Sequence, residues 1–248
     1  MTDPLSPDAA ASGLLEAALD PLRYDWEGVF GKDDVCEVPA IVARWLPSGA
    51  SVLDVGCGAG AITVLVSQGK NNRVLGVEPD PARAEAARAQ GLDVVTGLAD
   101  EAFMAKHGPF DVILFTDVLE HLPAPGDMIT LAIKGLRPGG FIIASVPNVA
   151  HWTVRLRLLL GRFNYADYGI MDATHLRWFT RKSFVALFEH HGLKVVGLTA
   201  SAGTWLGEYN RLPFRLLPRR WRRGLIQALS QRLPGLFGCQ HVVKAQFG

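Results

Sequence analysis

Short apolar runs rich in β-branched residues alternate along the chain with longer segments in which apolar and polar positions mix. Turn residues close the apolar runs, a pattern typical of strands that are buried on both faces. The predicted strands are 51–55, 73–77, 92–96, 110–115, 141–146, 193–199 and 240–245. Helices are predicted between them at 59–68, 81–90, 126–136 and 181–191. This alternation predicts an α/β protein with a mostly parallel, doubly wound sheet.

Three segments fall outside the alternation of strands and helices. Residues 1–47 are predicted to form an N-terminal helical cover. Residues 48–200 form the predicted core, in which 147–180 leaves from the carboxyl end of a strand and is interpreted as a lid over a ligand. Residues 201–238 form a basic amphipathic insert, and 239–248 supply the last strand of the core.

The composition is that of a globular protein, with 49% hydrophobic and 20% charged residues among 248. These fractions exclude a disordered tail protein, a collagen-like chain and a disulfide-rich miniprotein. No apolar run approaches the roughly 18 residues of a membrane span, and residues 1–13 do not resemble a secretion signal. The three cysteines, Cys36, Cys57 and Cys239, form no C-x-x-C motif. The sequence therefore predicts a cytoplasmic protein.

Charge is distributed unevenly along the chain. Residues 1–148 contain 10 basic and 20 acidic residues, a net charge of −10, whereas 149–248 contain 15 and 4, a net charge of +11. The insert combines arginines with apolar residues at every fourth position: Arg211, Arg215, Arg219, Arg220, Arg222 and Arg223, with Trp221, Leu225, Leu229 and Leu233. One interpretation is that 211–233 attaches the protein peripherally to the anionic inner membrane surface. The other is that the apolar stripe packs on the domain or on a second subunit.

A glycine-rich loop, Asp54-Val55-Gly56-Cys57-Gly58-Ala59-Gly60, follows the first predicted strand. Glycines let the backbone approach a ligand closely, and the N-terminus of the next helix offers unpaired N–H groups. Glu78 ends the second strand, 20 residues after Gly58, where a carboxylate can accept hydrogen bonds from a ribose. A nucleotide-like ligand is therefore predicted. The loop also satisfies the dinucleotide fingerprint, so an NAD-dependent oxidoreductase is an alternative.

Four motifs occur in an order that resembles the class I S-adenosylmethionine-dependent methyltransferases. They are the acid-x-Gly-x-Gly-x-Gly loop at 54–60, a fourth strand and turn at 110–122, a turn at 136–140 and a strand end at 145–148. The C-terminal order of strand, long insert and strand is similar to the reversed last strand of that family. The resemblance implies a Rossmann-like sheet of seven strands with the last one reversed, and S-adenosylmethionine as the cofactor.

The resemblance also implies roles for residues at matching positions. The glycine loop and Asp54 are expected at the methionine end, Glu78 at the ribose hydroxyls, and Thr116 with Asp117 near the methionine amino group. Leu98 occupies the position where relatives carry an acid for adenine, so Asp100 is expected to serve instead, or backbone N–H groups near Ala99. The predicted cofactor residues are Asp54, Gly56, Cys57, Gly58, Gly60, Glu78, Pro79, Asp100, Thr116 and Asp117.

Three histidines are candidate catalytic residues. Positioning contributes more to methyl transfer than a general base does, and a base matters only where the acceptor must lose a proton. His175 and His151 lie in 147–180, near the open end of the expected cleft, where a neutral imidazole can take a hydroxyl proton. His121 follows Glu120 in a run from Asp117 that is similar to the acid-x-x-Glu-His motif of ubiquinone-biosynthesis O-methyltransferases, which has been linked to a divalent ion. Each histidine also has a structural interpretation, and no metal is predicted.

The sequence as a whole predicts a methyltransferase that acts on a small-molecule, lipid-linked or sugar acceptor, on oxygen. A nucleic-acid partner is not expected, because Thr116-Asp117-Val118-Leu119 replaces the signature of methyltransferases that act on base amino groups. Besides the oxidoreductase, a non-catalytic protein that retains the pocket and binds a membrane or acts as a scaffold is an alternative.

Overall fold

A single mixed sheet forms the centre of the protein, for which the computed structural model describes residues 35–248. Its strands are β1 (Ser51–Val55), β2 (Arg73–Glu78), β3 (Asp93–Thr96), β4 (Phe110–Thr116), β5 (Leu136–Pro147), β6 (Lys194–Ala200) and β7 (Gln240–Gln246). Their order is β3-β2-β1-β4-β5-β7-β6. β7 is antiparallel to both of its neighbours, and the other pairs are parallel. The predicted seven-stranded sheet with a reversed last strand is confirmed.

The helices cover both faces of this sheet. They are α1 (Val38–Trp45), α2 (Ala61–Ser67), α3 (Pro81–Ala89), α4 (Glu101–His107), α5 (Pro125–Gly135), α6 (Trp152–Leu159), α7 (Arg181–Glu189), α8 (Arg219–Arg232) and α9 (Pro234–Phe237). No helix within residues 35–248 is both long and apolar enough to cross a membrane.

Local sequence signals explain where some of the helices begin. Asp80 caps α3 by accepting hydrogen bonds from the amides of Ala82 and Arg83, and a proline occupies the first turn. Thr180 and Ser183 form a reciprocal capping box at the start of α7. Because these signals are local, the predicted helices α3 and α7 agree with the structure to within two residues.

Two helices and one strand boundary differ from the expectation. α4 was not predicted, although Asp100 caps it by accepting a hydrogen bond from Phe103 N. α6 lies inside the segment that was expected to be a loop. β5 begins at Leu136, so the expected turn at 136–140 is part of the strand. Backbone hydrogen bonds between Phe247 and the 139–140 glycines hold this irregular start in the sheet.

The hydrophobic core lies on both faces of the sheet. On one face, Phe103, Ile129, Phe184 and Phe188 pack against the strands. On the other face, α1 packs with α2 against β1, β4 and β5. α1 belongs to the predicted N-terminal cover, of which residues 1–34 lie outside the described residues.

A third hydrophobic cluster joins the segments 147–180 and 201–238. Val154 and Ile170 from the first segment pack with Leu206, Tyr209 and Ile226 from the second. The segments follow the carboxyl ends of β5 and β6, the edge of the sheet at which β1 leads into the glycine loop. The two long segments therefore build one layer at the edge where open α/β sheets bind ligands.

Candidate functional site

A cavity of about 430 Å³ lies at the carboxyl ends of the parallel strands. This volume is within the usual range for a small-molecule site, about 300–1,000 Å³. The half that contains the glycine loop is lined by residues 55–62, 77–79, 97–99 and 116–118, and the other half by 120–122, 168–170, Asp172, Thr174 and His175. Further residues of the wall are Arg83, Met128, Pro147, Trp205, Cys239 and Gln240. The cavity thus joins the glycine loop to the segment that was predicted to be a lid.

The three glycines of the loop are needed for different structural reasons. Gly56, Gly58 and Gly60 all have positive φ angles, a conformation that favours glycine. A Cβ atom on Gly60 would collide with Leu92 of the α3–β3 connection. A Cβ atom on Gly58 would meet no atom of a non-neighbouring residue between 35 and 248 within 4 Å, although Gly58 lines the cavity. Gly58 therefore leaves open space in which a ligand can approach the backbone.

Glu78 is a buried carboxylate beneath this loop. Its two oxygens accept hydrogen bonds from Gly58 N at 2.9 Å and from Asp80 N at 3.0 Å. Each carboxylate oxygen has a second lone pair for a ligand hydroxyl. Glu78 and Pro79 both line the cavity, in the place expected for ribose contacts.

Asp54 and Cys57 are also buried at the loop. Asp54 does not line the cavity, and its Oδ2 accepts a hydrogen bond of 2.5 Å from Thr63 on α2. Burial raises the pKa of the Asp54 carboxyl to about 7, and the Thr63 hydrogen bond opposes that rise. Burial also raises the pKa of the Cys57 thiol. Asp54 thus fastens β1 to α2 below the cavity, and Cys57 lines the cavity as a neutral thiol.

The structure places Asp100 outside the cavity lining, where it caps α4. Gly97, Leu98 and Ala99 line the cavity instead, and most of the Leu98 surface is exposed. This part of the site therefore presents backbone groups and an apolar side chain.

Thr116 and Asp117 line the cavity where β4 ends, and Asp117 has an unusual backbone conformation with φ +56°. Asp117 Oδ1 accepts a hydrogen bond from Ser145 Oγ at 2.8 Å, and Oδ2 accepts one from Gln240 Nε2 at 2.6 Å. Burial raises the pKa of this carboxyl to about 6, and both hydrogen bonds oppose the rise. Gln240 was not predicted as a site residue. No local sequence pattern marks Gln240 as a site residue, because only the reversed direction of β7 brings its first residue to this edge of the sheet.

The other half of the cavity contains Glu120, His121 and His175. One ligand atom from each lies within 4.8 Å of the other two, so the three side chains can hold a divalent cation. Glu120 is fully buried, and neither carboxylate oxygen has a hydrogen-bond partner within residues 35–248. Burial raises the pKa of Glu120 well above its usual value, and the nearby charges of Asp117 and Asp172 add to this effect.

Hydrogen bonds orient both imidazoles. His121 Nδ1 lies 3.2 Å from the Thr174 carbonyl oxygen, and His175 Nδ1 lies 3.3 Å from that of Ile170. A carbonyl oxygen only accepts, so Nδ1 carries the proton on each ring and Nε2 is the nitrogen that can take up a proton. The two rings are in edge contact, with centroids 4.9 Å apart.

His151 lies elsewhere. It is fully buried before the first turn of α6 and does not line the cavity. Its Nδ1 lies 2.8 Å from Thr153 Oγ1, and its Nε2 lies 3.2 Å from the Tyr209 hydroxyl. Burial lowers the pKa of His151 to about 4. The expectation that His151 borders the cleft is not met, because the turn before α6 points its ring into the third hydrophobic cluster.

The reversed β7 and the glycine loop over a fixed carboxylate define the class of protein, a Rossmann-like enzyme fold with a nucleoside-type site. The model of the methyltransferase domain family matches residues 30–198. The chain therefore belongs to the methyltransferase domain family, and its fold is that of the class I S-adenosylmethionine-dependent methyltransferases.

Similar proteins agree with this assignment. The chain is 30% identical over 170 residues to a ubiquinone biosynthesis O-methyltransferase of Xylella fastidiosa, covering 61% of this chain and 62% of the relative. A solved S-adenosylmethionine-dependent methyltransferase from Archaeoglobus fulgidus superposes with a TM-score of 0.58 at 17% identity, covering 90% of this chain and 97% of that one.

A second solved structure contains S-adenosylhomocysteine. It is 1,6-didemethyltoxoflavin-N1-methyltransferase from Burkholderia thailandensis, with a TM-score of 0.53 at 19% identity, and it covers all of this chain and 93% of that one. Family and neighbours support S-adenosylmethionine as the cofactor, and the open space at Gly58 with Glu78 beneath it fits a nucleoside. The oxidoreductase alternative is not supported, since the dinucleotide-binding order 3-2-1-4-5-6 lacks the reversed strand between β5 and β6.

Proposed function

We propose that this protein transfers a methyl group from S-adenosylmethionine to an oxygen atom of a small-molecule acceptor. The observation that carries the proposal is the shape of the cavity. The glycine loop and Glu78 line one half of the cavity, and two oriented imidazoles line the other half. In the sequence, Asp117 lies between Glu78 and these histidines. A donor bound on the loop and an acceptor bound beside the imidazoles would share one space.

The side chains have separable tasks in this proposal. The cofactor, when bound, supplies an electrophilic methyl group on a sulfonium. Glu78 would accept hydrogen bonds from the ribose hydroxyls, and Asp117 would face the amino group. His175 accepts the proton of the acceptor hydroxyl at Nε2, because its Nδ1 is held by Ile170 O. Holding donor and acceptor in line supplies the larger share of the rate enhancement, and the base adds about 10²–10⁴-fold.

We further propose that the segment 147–180 covers the acceptor and that 211–233 attaches the protein to an anionic membrane surface. The supporting observation is the orientation of α8, which buries Ile226 and Ser230. Three of the four residues of the predicted apolar stripe are exposed, Trp221 by 64%, Leu225 by 41% and Leu233 by 51%, and Leu229 is half-buried. An exposed apolar stripe beside arginines has the chemistry of a helix that lies in a lipid interface. A lipid-linked acceptor fits such a location.

Replacing Gly58 by valine tests the main proposal. The substitution introduces a β-branched residue at φ +56° and a side chain into the space beside the loop. We expect S-adenosylhomocysteine affinity, measured by calorimetry, to fall at least 100-fold. Gly49→Val is the matched control, because Gly49 has φ +73° and open space around it but does not line the cavity.

Methyl transfer is measured with a tritiated donor on cell-extract fractions in which lipid and water-soluble pools are kept apart. The wild-type protein and the Gly49→Val variant should label the same pool, and Gly58→Val should label none. Unchanged cofactor affinity in Gly58→Val, or wild-type binding of NADH in place of S-adenosylhomocysteine, would contradict the proposal.

A further inference from the structure

Gln240 connects the cofactor half of the cavity to the end of the basic insert. It is the first residue of β7 and pairs with Pro147, the last residue of β5. Its Nε2 donates a hydrogen bond of 2.6 Å to Asp117 Oδ2, across 123 residues of sequence. Both side chains line the cavity. The insert 201–238 therefore returns to the sheet at a residue that touches the expected cofactor site.

The orientation of the Gln240 amide is determined by its partners. Its Oε1 accepts a hydrogen bond from Ser201 Oγ at 3.2 Å, and the Gln240 backbone N lies 3.1 Å from the same hydroxyl. An ionised carboxylate can only accept hydrogen bonds, so Asp117 must face the amide nitrogen. Ser201 thus donates to Gln240, and Gln240 donates to Asp117.

Asp117 is held from two strands. Ser145 on β5 donates to Oδ1, and Gln240 on β7 donates to Oδ2. Both donors are neutral, so they aim the carboxylate without cancelling its charge. The backbone of Asp117 has a positive φ, a conformation that is uncommon in residues other than glycine and that aspartate adopts more readily than most. Each oxygen retains a lone pair for a ligand at the cavity wall.

We infer that Gln240 is a positioning residue that aims the Asp117 carboxylate at the ammonium group of the methionine moiety of the cofactor. The inference rests on the proposed function. The Asp117 carboxylate is half-buried and has neutral partners, and a cationic ligand group stabilises such a carboxylate best. The ammonium of the methionine moiety is such a group. It lies at the end of the cofactor that is away from the adenosine. Without the Gln240 amide, Asp117 loses one of the two side-chain hydrogen-bond donors that residues 35–248 provide.

The test compares two ligands that differ only at the amino-acid end. S-adenosylhomocysteine carries the ammonium, whereas 5′-methylthioadenosine keeps the adenosine and the thioether but lacks it. Gln240→Met preserves side-chain length and removes the donor. We expect its affinity for S-adenosylhomocysteine, measured by calorimetry, to fall about tenfold, as for lost hydrogen bonds to charged groups. Its affinity for 5′-methylthioadenosine should stay within about twofold of wild type.

Gln246→Met is the matched control. Gln246 lies at the other end of β7, where its Nε2 is 3.4 Å from Gly139 O, and it does not line the cavity. This variant should bind both ligands as the wild type does. Gln240→Glu is the second variant, because it keeps the shape of the side chain and places a second carboxyl group against Asp117. It should also lose affinity for S-adenosylhomocysteine alone.

The possible outcomes separate the inference from the function on which it rests. If Gln240→Met weakens both ligands equally, Gln240 only stabilises the fold and the inference is wrong. Unchanged affinity for both ligands overturns it as well. A wild-type protein that binds neither ligand refutes the proposed function itself. If Gln240→Met does not fold, the same comparison in Gln240→Glu decides.

Discussion

Two histidines of the segment 147–180 lie in different surroundings, although they come from the same segment. His151 and His175 occupy the same segment, and their sequence surroundings predict the same location. His175 lines the cavity in contact with His121, whereas His151 packs between Thr153 and Tyr209. A turn of backbone before α6 makes this difference. The two residues therefore allow a comparison between the imidazole proposed as the base and one with a structural position.

We expect His175→Gln to lower the rate of methyl transfer about 100-fold while leaving S-adenosylhomocysteine affinity within twofold, because the base acts only in the chemical step. The rate is measured on the acceptor pool that the wild-type protein labels.

His151→Gln should instead lower the free energy of unfolding in urea, since it disturbs a buried hydrogen-bonded group, and leave the rate of the folded protein unchanged. A wild-type rate in His175→Gln would remove His175 from the mechanism.

α8 is the element whose sequence pattern allowed two orientations. Apolar residues at every fourth position form a stripe, but arginines and other leucines surround it. The hydrogen bonds from Gln231 to Ala200 O and from Thr199 Oγ1 to Gln231 fix the rotation of the helix against β6. They turn Ile226 and Ser230 inward and leave Trp221 exposed.

The membrane proposal is tested with vesicles of phosphatidylglycerol, with phosphatidylcholine vesicles as the neutral comparison. Arg219→Gln/Arg220→Gln changes two exposed arginines at the start of α8. Each cation near anionic headgroups contributes about 1 kcal/mol, so sedimentation should show about 30-fold weaker binding. Arg181→Gln/Lys182→Gln is the matched control, with two exposed cations at the start of α7. Equal binding by both double variants would contradict attachment through α8.

At the scale of the whole molecule, the sheet buries an imidazole that does not line the cavity. His241 on β7 is fully buried between Val146 and Ala200, and neither ring nitrogen has a hydrogen-bond partner within residues 35–248. Burial, together with a smaller effect of the Arg181 charge, lowers the pKa of His241 to about 4. The folded protein therefore keeps this ring neutral at pH values where the unfolded chain binds a proton.

His241→Leu should make the protein less sensitive to acid. The unfolded pKa of about 6.5 lies above the folded value, so stability from the neutral ring is present above pH 6.5 and is lost as the pH falls toward 4. Between pH 8 and pH 5 the wild type should lose about 2 kcal/mol relative to His241→Leu in urea unfolding. His190→Leu, at an exposed histidine, is the control. An equal pH dependence in wild type and His241→Leu would contradict the prediction.

The sequence by itself determined the fold class, the strands and the glycine loop with Glu78. Buried strands and capped helices are local patterns, and a glycine at positive φ answers a local steric demand. Asp100 shows the limit of such reasoning, since its capping role and its expected ligand role produce the same local signal. The segment 147–180 shows the same limit. Trp152 at the start of α6 packs on Tyr209 and Phe214, which are distant in sequence.

The tertiary structure decided which distant residues share the cavity. Gln240 reaches Asp117 only because β7 runs backwards beside β5, and Glu120, His121 and His175 meet only because 147–180 folds over the end of β4. It also decided that most of the apolar stripe of α8 faces outward. These outcomes depend on contacts between residues far apart in sequence, and no pattern within a single segment encodes such contacts.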